Sequence, residues 1–224
     1  MAWLRRQGLI GMAVVVFLAL GFRSAIADWN DVPTGSMKPT ILIGDRIFVN
    51  KVAYDLTVPF TSWRVATWGA PARGDIVTCW SPADGARLVK RVVGVPGDVI
   101  AMQGGRLSVN GEPLAYEPLD DPALPASLGA EGAGKTFFRE HLPGHPHVVA
   151  YDTARANARD FGPVTVPVGR YFMMGDNRDH SADSRYFGFV AREDVLGRVQ
   201  GLVWSLDLEN HWRPRWSRFG DRLI

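Results

Sequence analysis

A serine that could act as a nucleophile lies in the short segment Val32–Thr40. Ser36 stands between a glycine and a methionine, and Pro33 and Pro39 close the segment at its two ends. Because proline fixes φ and the segment is short, we expect the Ser36 hydroxyl to be presented at a fixed angle. The same residues also fit an ordinary loop before the first strand, so this segment alone does not decide between the two interpretations.

A serine nucleophile needs a base to take its proton, and the best candidate in this chain is Lys90. None of the histidines lies in a setting that suggests a Ser-His-Asp triad. In the predicted strand around Lys90, side-chain alternation puts Leu88, Lys90 and Val92 on one face. If that face is covered, burial lowers the pKa of the amine toward neutrality and makes it a base. The alternative is a lysine on an edge strand that discourages aggregation.

A third pattern resembles a phosphate-binding loop. Residues 129–136 match the P-loop pattern letter for letter. A working P-loop follows a hydrophobic strand and opens a helix, whose N-terminus binds the phosphate. Here a proline-containing stretch precedes the segment and Pro143 follows it closely, so the flanks argue against nucleotide binding.

Two further segments contain residue types that bind metals. The three histidines between residues 141 and 147 are separated by Pro143 and Pro146, which prevent a regular helical face, and we expect a solvated loop there. Residues 176–185 alternate carboxylate and amide side chains, as calcium loops do, but the glycine and closing glutamate of an EF-hand are missing. Neither segment predicts a metal site.

The composition excludes some broad classes. The chain has 224 residues and a formal net charge of +2, which gives no indication of nucleic-acid binding. Cys79 is the single cysteine, so no internal disulfide forms. Because Cys79 falls in a predicted strand, we expect a buried, inert thiol.

The amino terminus carries a membrane signal. Residues 8–22 are uncharged and mostly apolar, and Arg5 and Arg6 precede them. The run is shorter than the roughly 20 residues of a full span unless it continues to residue 27. It fits either a cleaved signal peptide ending at residues 25–27 or a retained anchor. In both cases the basic residues predict that the rest of the chain lies across the membrane from the cytoplasm.

The remaining pattern predicts a mainly β protein built of antiparallel sheets. Short apolar runs alternate with turn residues, and Asn110-Gly111 is a strong hairpin signal. We predict strands within residues 41–52, 75–80, 88–93, 99–102, 106–109, 168–174 and 195–206. Residues 55–69 read as an irregular surface loop. The tail of the chain interleaves tryptophans with arginines, which suits either an anionic lipid surface or docking on the domain.

Three segments together resemble the signature blocks of bacterial type I signal peptidases, which cleave with a Ser/Lys dyad. They are Pro33–Thr40, Val89–Asp98 and Gly175–Arg185, and they occur in the family's order after an apolar N-terminal segment. The resemblance covers nearly the whole chain outside one inserted region. It implies a membrane-bound serine endopeptidase that removes leader sequences from exported preproteins, with no metal or organic cofactor.

The resemblance also implies roles for individual residues. Ser36 would be the nucleophile and neutral Lys90 the general base, while the Ser36 N–H and the Thr34 hydroxyl would stabilise the oxyanion. Ser181 would hold the lysine amine in line. Positions with a structural role beside the site would be Asp183 and Arg185 as a salt bridge, Gly175 and Arg178.

Substrate selection would rest on shallow pockets for small side chains at positions −1 and −3. The matching aliphatic positions are Val32, Pro33, Met37, Ile41 and Val89. Cleavage is therefore expected after an Ala-x-Ala sequence. The chain departs from the family at Thr34, where serine is more usual, and at His180, where asparagine is common.

The resemblance favours a retained anchor over a cleaved signal peptide, because a tether raises the effective concentration of membrane-held substrates. The expected organisation is a cytoplasmic N-terminus (1–7), one transmembrane helix (8–27) and a peptidase domain (28–224). Within that domain we expect a β-rich core (32–112 and 168–206), an inserted region (113–167) and a C-terminal tail (207–224). The enzyme would be a monomer in the bacterial cytoplasmic membrane, with its catalytic domain on the outer, periplasmic face.

Two rival functions remain at this point. One is a Ser/Lys peptidase dedicated to a single substrate, such as a conjugation-pilus processing enzyme or a relative of the self-cleaving repressors, although no DNA-binding segment is present. The other is a membrane-anchored binding protein without activity. The intact Ser36, Lys90 and Ser181 argue against it, because a buried lysine destabilises a fold that does not use it.

Overall fold

A computed structural model describes residues 2–153, 160–208 and 210–223, with side chains from residue 10 onward. Parts of the predicted N-terminus, inserted region and tail fall on residues 1, 154–159, 209 and 224 and lie outside the described residues. The side chains of Arg5 and Arg6, which predict the orientation of the chain across the membrane, also lie outside the described part.

The elements are mostly short strands. The helices are α1 (Ala2–Ala25), α2 (Ala123–Ser127) and α3 (Ser184–Phe187). The strands are β1 (Ala27–Asp31), β2 (Asp45–Asn50), β3 (Asp55–Thr57), β4 (Arg64–Thr67), β5 (Ile76–Trp80), β6 (Arg87–Gly94), β7 (Val99–Gln103), β8 (Arg106–Val109), β9 (Glu112–Pro113), β10 (Tyr116–Leu119), β11 (Lys135–Leu142), β12 (His145–Asp152), β13 (Phe161–Thr165), β14 (Arg170–Met174), β15 (Val190–Ala191), β16 (Val195–Asp207) and β17 (Arg213–Pro214).

The largest sheet has the order β1-β2-β16-β5-β6-β14-β15, with β17 paired to β16. Smaller sheets have the orders β13-β7-β8-β9 and β10-β11-β12, and β3 pairs with β4. Every pair of these strands is antiparallel, which confirms the predicted fold class. Strand β6 lies between β5 and β14, so its last five residues are buried on both faces.

One of the apolar clusters of the core joins the large sheet to the sheet of β7, β8, β9 and β13. Val93, Phe172 and Met174 from the large sheet pack against Ile100 and Leu107 from the smaller one. The strand β13 therefore belongs to the core sheet, although the inserted region was expected to extend to residue 167.

Several local predictions are confirmed. Asn110 and Gly111 have φ angles of 55° and 84°, as the hairpin turn between β8 and β9 requires. Cys79 is buried, and burial raises the pKa of its thiol to about 12. Residues 129–136 do not form a P-loop, because Lys135 begins a strand rather than a helix.

Two other local predictions are wrong, and one of the two interpretations left open for the tail agrees with the structure. Residues 55–69 contain the hairpin β3–β4 rather than an irregular loop. The histidines expected in a solvated loop lie on the hairpin β11–β12, where pairing with Glu140 buries His147 to 7% exposure. The tail docks on the domain, since Arg218 Nη2 lies 2.6 Å from Asp45 Oδ2, while Trp212 and Trp216 stay exposed.

Helix α1 covers most of the apolar run near the amino terminus, and the described side chains along it are largely exposed. Within the described part of the chain, however, no helix combines the length and the apolar character that crossing a membrane demands. The transmembrane helix predicted for residues 8–27 is therefore not confirmed by the structure.

Candidate active site

The turn that presents Ser36 connects β1 to β2. The backbone N–H of Lys38 donates to the Gly35 carbonyl at 3.1 Å, and that of Ile41 donates to the Met37 carbonyl at 3.0 Å. The Lys38 side chain folds back across Gly35, where a Cβ atom would lie only 3.0 Å from two of its carbons. A glycine before the serine thus leaves room for Lys38, whose Nζ pairs with Glu131 Oε2 at 2.8 Å.

Lys90 reaches the serine from the middle of the large sheet. Its Nζ lies 2.7 Å from Ser36 Oγ and 3.2 Å from the Val89 carbonyl oxygen. Lys90 is only 3% exposed, and this burial lowers the pKa of its amine against the opposing effect of the Asp183 carboxylate. The structure therefore brings the predicted nucleophile and base within hydrogen-bond distance.

The predicted supporting glycine packs directly behind the serine. A Cβ atom on Gly175 would lie 2.3 Å from Ser181 Oγ and 2.4 Å from the Ser36 carbonyl oxygen. Ser181 is therefore beside the nucleophile and is 3% exposed. Its hydroxyl forms no hydrogen bond with Lys90, so the predicted contact with the lysine amine is not made in this structure.

The predicted salt bridge lies in the polar loop, residues 175–185, which also contains Gly175 and Ser181. Arg185 binds both carboxylate oxygens of Asp183 at 2.8 Å, and Asp183 Oδ2 also accepts from the Gly175 N–H at 3.0 Å. Burial alone would raise the pKa of Asp183, but the bonds from Arg185 hold it below its usual value. The charge of Asp183 is thus already matched by Arg185, which limits its stabilisation of a protonated Lys90.

Sequence reasoning missed two buried ion pairs behind the site. Arg91 binds both oxygens of Asp176 at 2.8–2.9 Å, and the predicted structural residue Arg178 binds both oxygens of Glu140 at 2.6–2.7 Å. Arg91 follows Lys90 directly, so alternation in β6 points the two side chains to opposite faces. That alternation was the available signal for Arg91. Nothing local in the sequence indicates that Glu140 is the counter-charge of Arg178.

The predicted pocket residues lie together. Val32, Met37 and Ile41 belong to one buried cluster, and Val89 packs against it. Pro33 and Thr34 are exposed at the start of the serine turn. The structure thus gathers the aliphatic side chains around the turn and leaves Thr34 accessible beside it.

The chain is similar in sequence to proteins of one known family. The family described as "Signal peptidase, peptidase S26" matches residues 4–204. Proteins named "Signal peptidase I" from Pseudomonas fluorescens and Pseudomonas aeruginosa are 37% and 38% identical, each alignment covering 92% of this chain and 75% of the relative. A "Signal peptidase I" from Rickettsia typhi is 34% identical over 89% of this chain and 80% of its own length.

Among solved structures, a crystal structure of a signal peptidase I from Enterococcus faecalis is similar at 30% identity, with a TM-score of 0.36. It covers 59% of this chain and 98% of the other. The family match spans most of the chain and includes the serine turn, the lysine strand and the polar loop. This chain belongs to the signal peptidase S26 family and is a serine endopeptidase.

Proposed function

We propose that this enzyme removes N-terminal signal peptides from exported preproteins by a Ser/Lys dyad, cutting after small-x-small sequences such as Ala-x-Ala. The observation that carries the proposal is the 2.7 Å distance between Ser36 Oγ and the buried Lys90 Nζ. A buried amine with a lowered pKa is neutral at a pH where an exposed lysine is charged, so it can accept a proton.

The reaction follows from these two groups. Lys90 takes the proton of Ser36 as the serine oxygen attacks the scissile carbonyl, and the resulting ammonium then protonates the leaving amine. The Ser36 N–H and the Thr34 hydroxyl stabilise the oxyanion, a contribution of about 3 kcal/mol for each donor in comparable enzymes. Lys90 then activates the water that hydrolyses the acyl-enzyme ester.

The polar loop supports the lysine rather than taking part in the reaction. Ser181, packed beside Ser36, orients the Lys90 amine once substrate closes the site. Asp183, which Arg185 neutralises, fixes Gly175 against the serine turn through the Gly175 N–H. Arg178 anchors the polar loop to strand β11 through its ion pair with Glu140.

Specificity comes from the aliphatic side chains around the serine turn. Val32, Met37 and Ile41 are buried in one cluster with Val89 packed against it, and Pro33 is exposed beside them. A substrate side chain larger than alanine at position −1 or −3 would displace these groups at a cost, whereas alanine gains from burial.

The enzyme acts as a monomer at the bacterial cytoplasmic membrane, with the peptidase domain on the outer face and α1 as its attachment to lipid. Exposed apolar side chains along α1 support this arrangement, as does hairpin β3–β4 beside it, where the rings of Phe17 and Phe60 are 5.7 Å apart. Trp212 and Trp216 add exposed aromatic surface in the tail, where lipid contact would suit them.

The test is cleavage of a preprotein with an Ala-x-Ala site by the full-length enzyme in detergent, across a range of pH. We expect the wild type to cut after that site, at a rate that rises with pH as Lys90 loses its proton and with a midpoint below the ordinary lysine pKa. Ser36→Ala and Lys90→Ala should each abolish cutting while the circular dichroism spectrum of the protein stays unchanged.

Other results would contradict specific parts of the proposal. Near-normal cutting by Lys90→Ala would mean that another group is the base. Cutting of one preprotein out of a varied set would indicate a dedicated processing peptidase, and no cutting at all would favour either a dedicated peptidase whose substrate is missing from the set or a binding protein.

A further inference from the structure

The polar loop touches the serine turn through one side chain whose role the dyad does not explain. The backbone N–H of Asn177 donates to the Ser36 carbonyl at 3.1 Å, and its Nδ2 donates to the Gly35 carbonyl at 3.0 Å. Asn177 is 1% exposed, so both bonds are shielded from water. The carbonyls on either side of the Ser36 N–Cα–C unit are therefore both held by one residue.

The bond to Gly35 has a geometric consequence for the oxyanion site. The Gly35 carbonyl and the Ser36 N–H belong to the same planar trans peptide unit, in which they point in opposite directions. Holding the carbonyl oxygen on one side therefore aims the N–H toward the other. A carbonyl that accepts hydrogen bonds also polarises its peptide unit, which makes the N–H a stronger donor.

A lysine with a buried side chain binds the other end of the Asn177 amide. Lys135 Nζ donates to Asn177 Oδ1 at 3.1 Å and pairs with Asp152 Oδ1 at 2.8 Å, and its side chain is 4% exposed. A lysine ammonium only donates and a carbonyl oxygen only accepts, so the Asn177 amide fits between Lys135 and Gly35 in one orientation. Lys135 comes from the glycine-rich segment that imitates a P-loop, and this contact gives that lysine a structural partner.

We propose that Asn177 is the positioning residue for the Ser36 N–H as an oxyanion donor, and that Lys135 orients and polarises Asn177. The chain of contacts runs from the Lys135 ammonium through the Asn177 amide to the Gly35–Ser36 peptide unit. The dipoles of the Asn177 amide and of this peptide unit are thereby aligned, with their positive ends toward the place where negative charge develops in the transition state. This inference rests on the proposed function, because it requires a serine attack that generates an oxyanion.

The first test compares three variants of the full-length enzyme on an Ala-x-Ala peptide. Asn177→Asp keeps the acceptor for Lys135 but loses the donor to Gly35, and Lys135→Met keeps the length of the side chain without its charge. Arg139→Met is the control, because Arg139 lies on the same strand but pairs with exposed Glu117. We expect kcat to fall about 100-fold for Asn177→Asp and about tenfold for Lys135→Met, with KM unchanged, and no change for the control.

A second readout separates a directed N–H from mere support of the fold. Ser36 Oγ attacks the carbonyl carbon of a peptide aldehyde ending in Ala-x-Ala and forms a covalent adduct. The former carbonyl oxygen then occupies the oxyanion site. The matching peptide alcohol forms no such adduct. We expect Asn177→Asp and Lys135→Met to weaken inhibition by the aldehyde at least tenfold relative to the alcohol.

The outcomes are distinct. Equal weakening of aldehyde and alcohol, or a rise in KM alone, would overturn the inference and leave Asn177 with a structural role. Unchanged kcat in Lys135→Met would refute the part assigned to Lys135, and that variant decides the matter alone if Asn177→Asp does not fold. If the wild type neither cuts the peptide nor binds the aldehyde better than the alcohol, the proposed function itself fails.

Discussion

The proposed role of Lys90 as a base opposes the contribution of this residue to stability. Burial lowers the pKa of its amine, so the folded protein holds fewer protons at this site than the unfolded chain does. Between the folded and the unfolded pKa, the unfolded chain keeps a charged, hydrated lysine while the folded protein holds the neutral amine. The stability contribution of this group therefore rises with pH until the unfolded lysine also loses its proton.

Replacing this lysine should make the protein more stable while it loses activity. We expect Lys90→Met to raise the free energy of unfolding by about 1 kcal/mol at neutral pH, because an apolar side chain of similar length fills the same buried space without desolvating an amine. The measurement is urea denaturation of the full-length protein. Ser36→Ala is the control for loss of activity without this gain, and a Lys90→Met variant that unfolds more easily than the wild type would contradict the argument.

The hairpin β11–β12 shows how one element stabilises a loop that belongs to another. Its Glu140 is completely buried and binds the equally buried Arg178, which anchors the polar loop. An isolated parallel bridge between Ala150 and Asn177 joins the same hairpin to the loop. Removing either contact should disturb the loop even though the hairpin does not touch the dyad.

We expect Glu140→Gln to lower the free energy of unfolding by about 3 kcal/mol or more, because it leaves the Arg178 charge buried without a counter-charge. The matched control is Glu117→Gln, which removes a carboxylate from the neighbouring strand β10, where the pair with Arg139 is exposed and is worth about 0–1 kcal/mol. Chemical denaturation of both variants measures the difference. Equal losses of unfolding free energy in the two variants would show that the buried pair stabilises the protein no more than the exposed pair does.

The sequence was sufficient to predict the strands of the core and the proximity of Ser36 and Lys90, but not the contribution of this hairpin. Strands β5 to β8 and β16 have apolar alternation and turn residues that local patterns reveal, and Lys90 lies inside such a pattern. The contact between Glu140 and Arg178 joins residues 38 positions apart, and that between Lys38 and Glu131 joins residues 93 apart. Single polar residues leave no periodic signal, so their pairing depends on how the sheets pack.

At the scale of the whole molecule, buried titratable groups make stability depend on pH. His147 lies among Glu140, Asp176, Arg91 and Arg178, and burial, followed by the field of Arg91, lowers the pKa of its imidazole. The two carboxylates nearby do not reverse this direction, because each is already bound by an arginine. The pKa of Asp176 falls to about 2 through Arg91 despite its burial.

Besides the contribution of Lys90, these shifts predict two further losses of stability as the solution is acidified. Below about pH 6.5 the unfolded chain binds a proton at His147 that the folded protein resists, so stability falls as pH falls. The lowered pKa values of Asp176, Glu140 and Asp183 add a second loss, which begins below about pH 4 and continues as pH falls toward their folded values. Urea midpoints between pH 8 and pH 3 measure both steps.

The variant His147→Gln should lack the first step and retain the second, since the carboxylates and their arginines are unchanged. His141→Gln is the control, because His141 is exposed on the same hairpin. A first step that survives in His147→Gln would assign it to another group.

Strand β6 places two basic residues side by side with opposite surroundings, Lys90 toward the serine and Arg91 toward Asp176. The side to which a residue points is a matter of odd or even position, and a slip of one residue exchanges every side chain between the faces. Such a slip would present to Ser36 a guanidinium that never gives up its proton, and leave the amine against a carboxylate. The pairing of Arg91 with Asp176 therefore favours the register that the candidate site needs. Only in that register does the arginine neutralise the Asp176 carboxylate while the Lys90 amine faces Ser36.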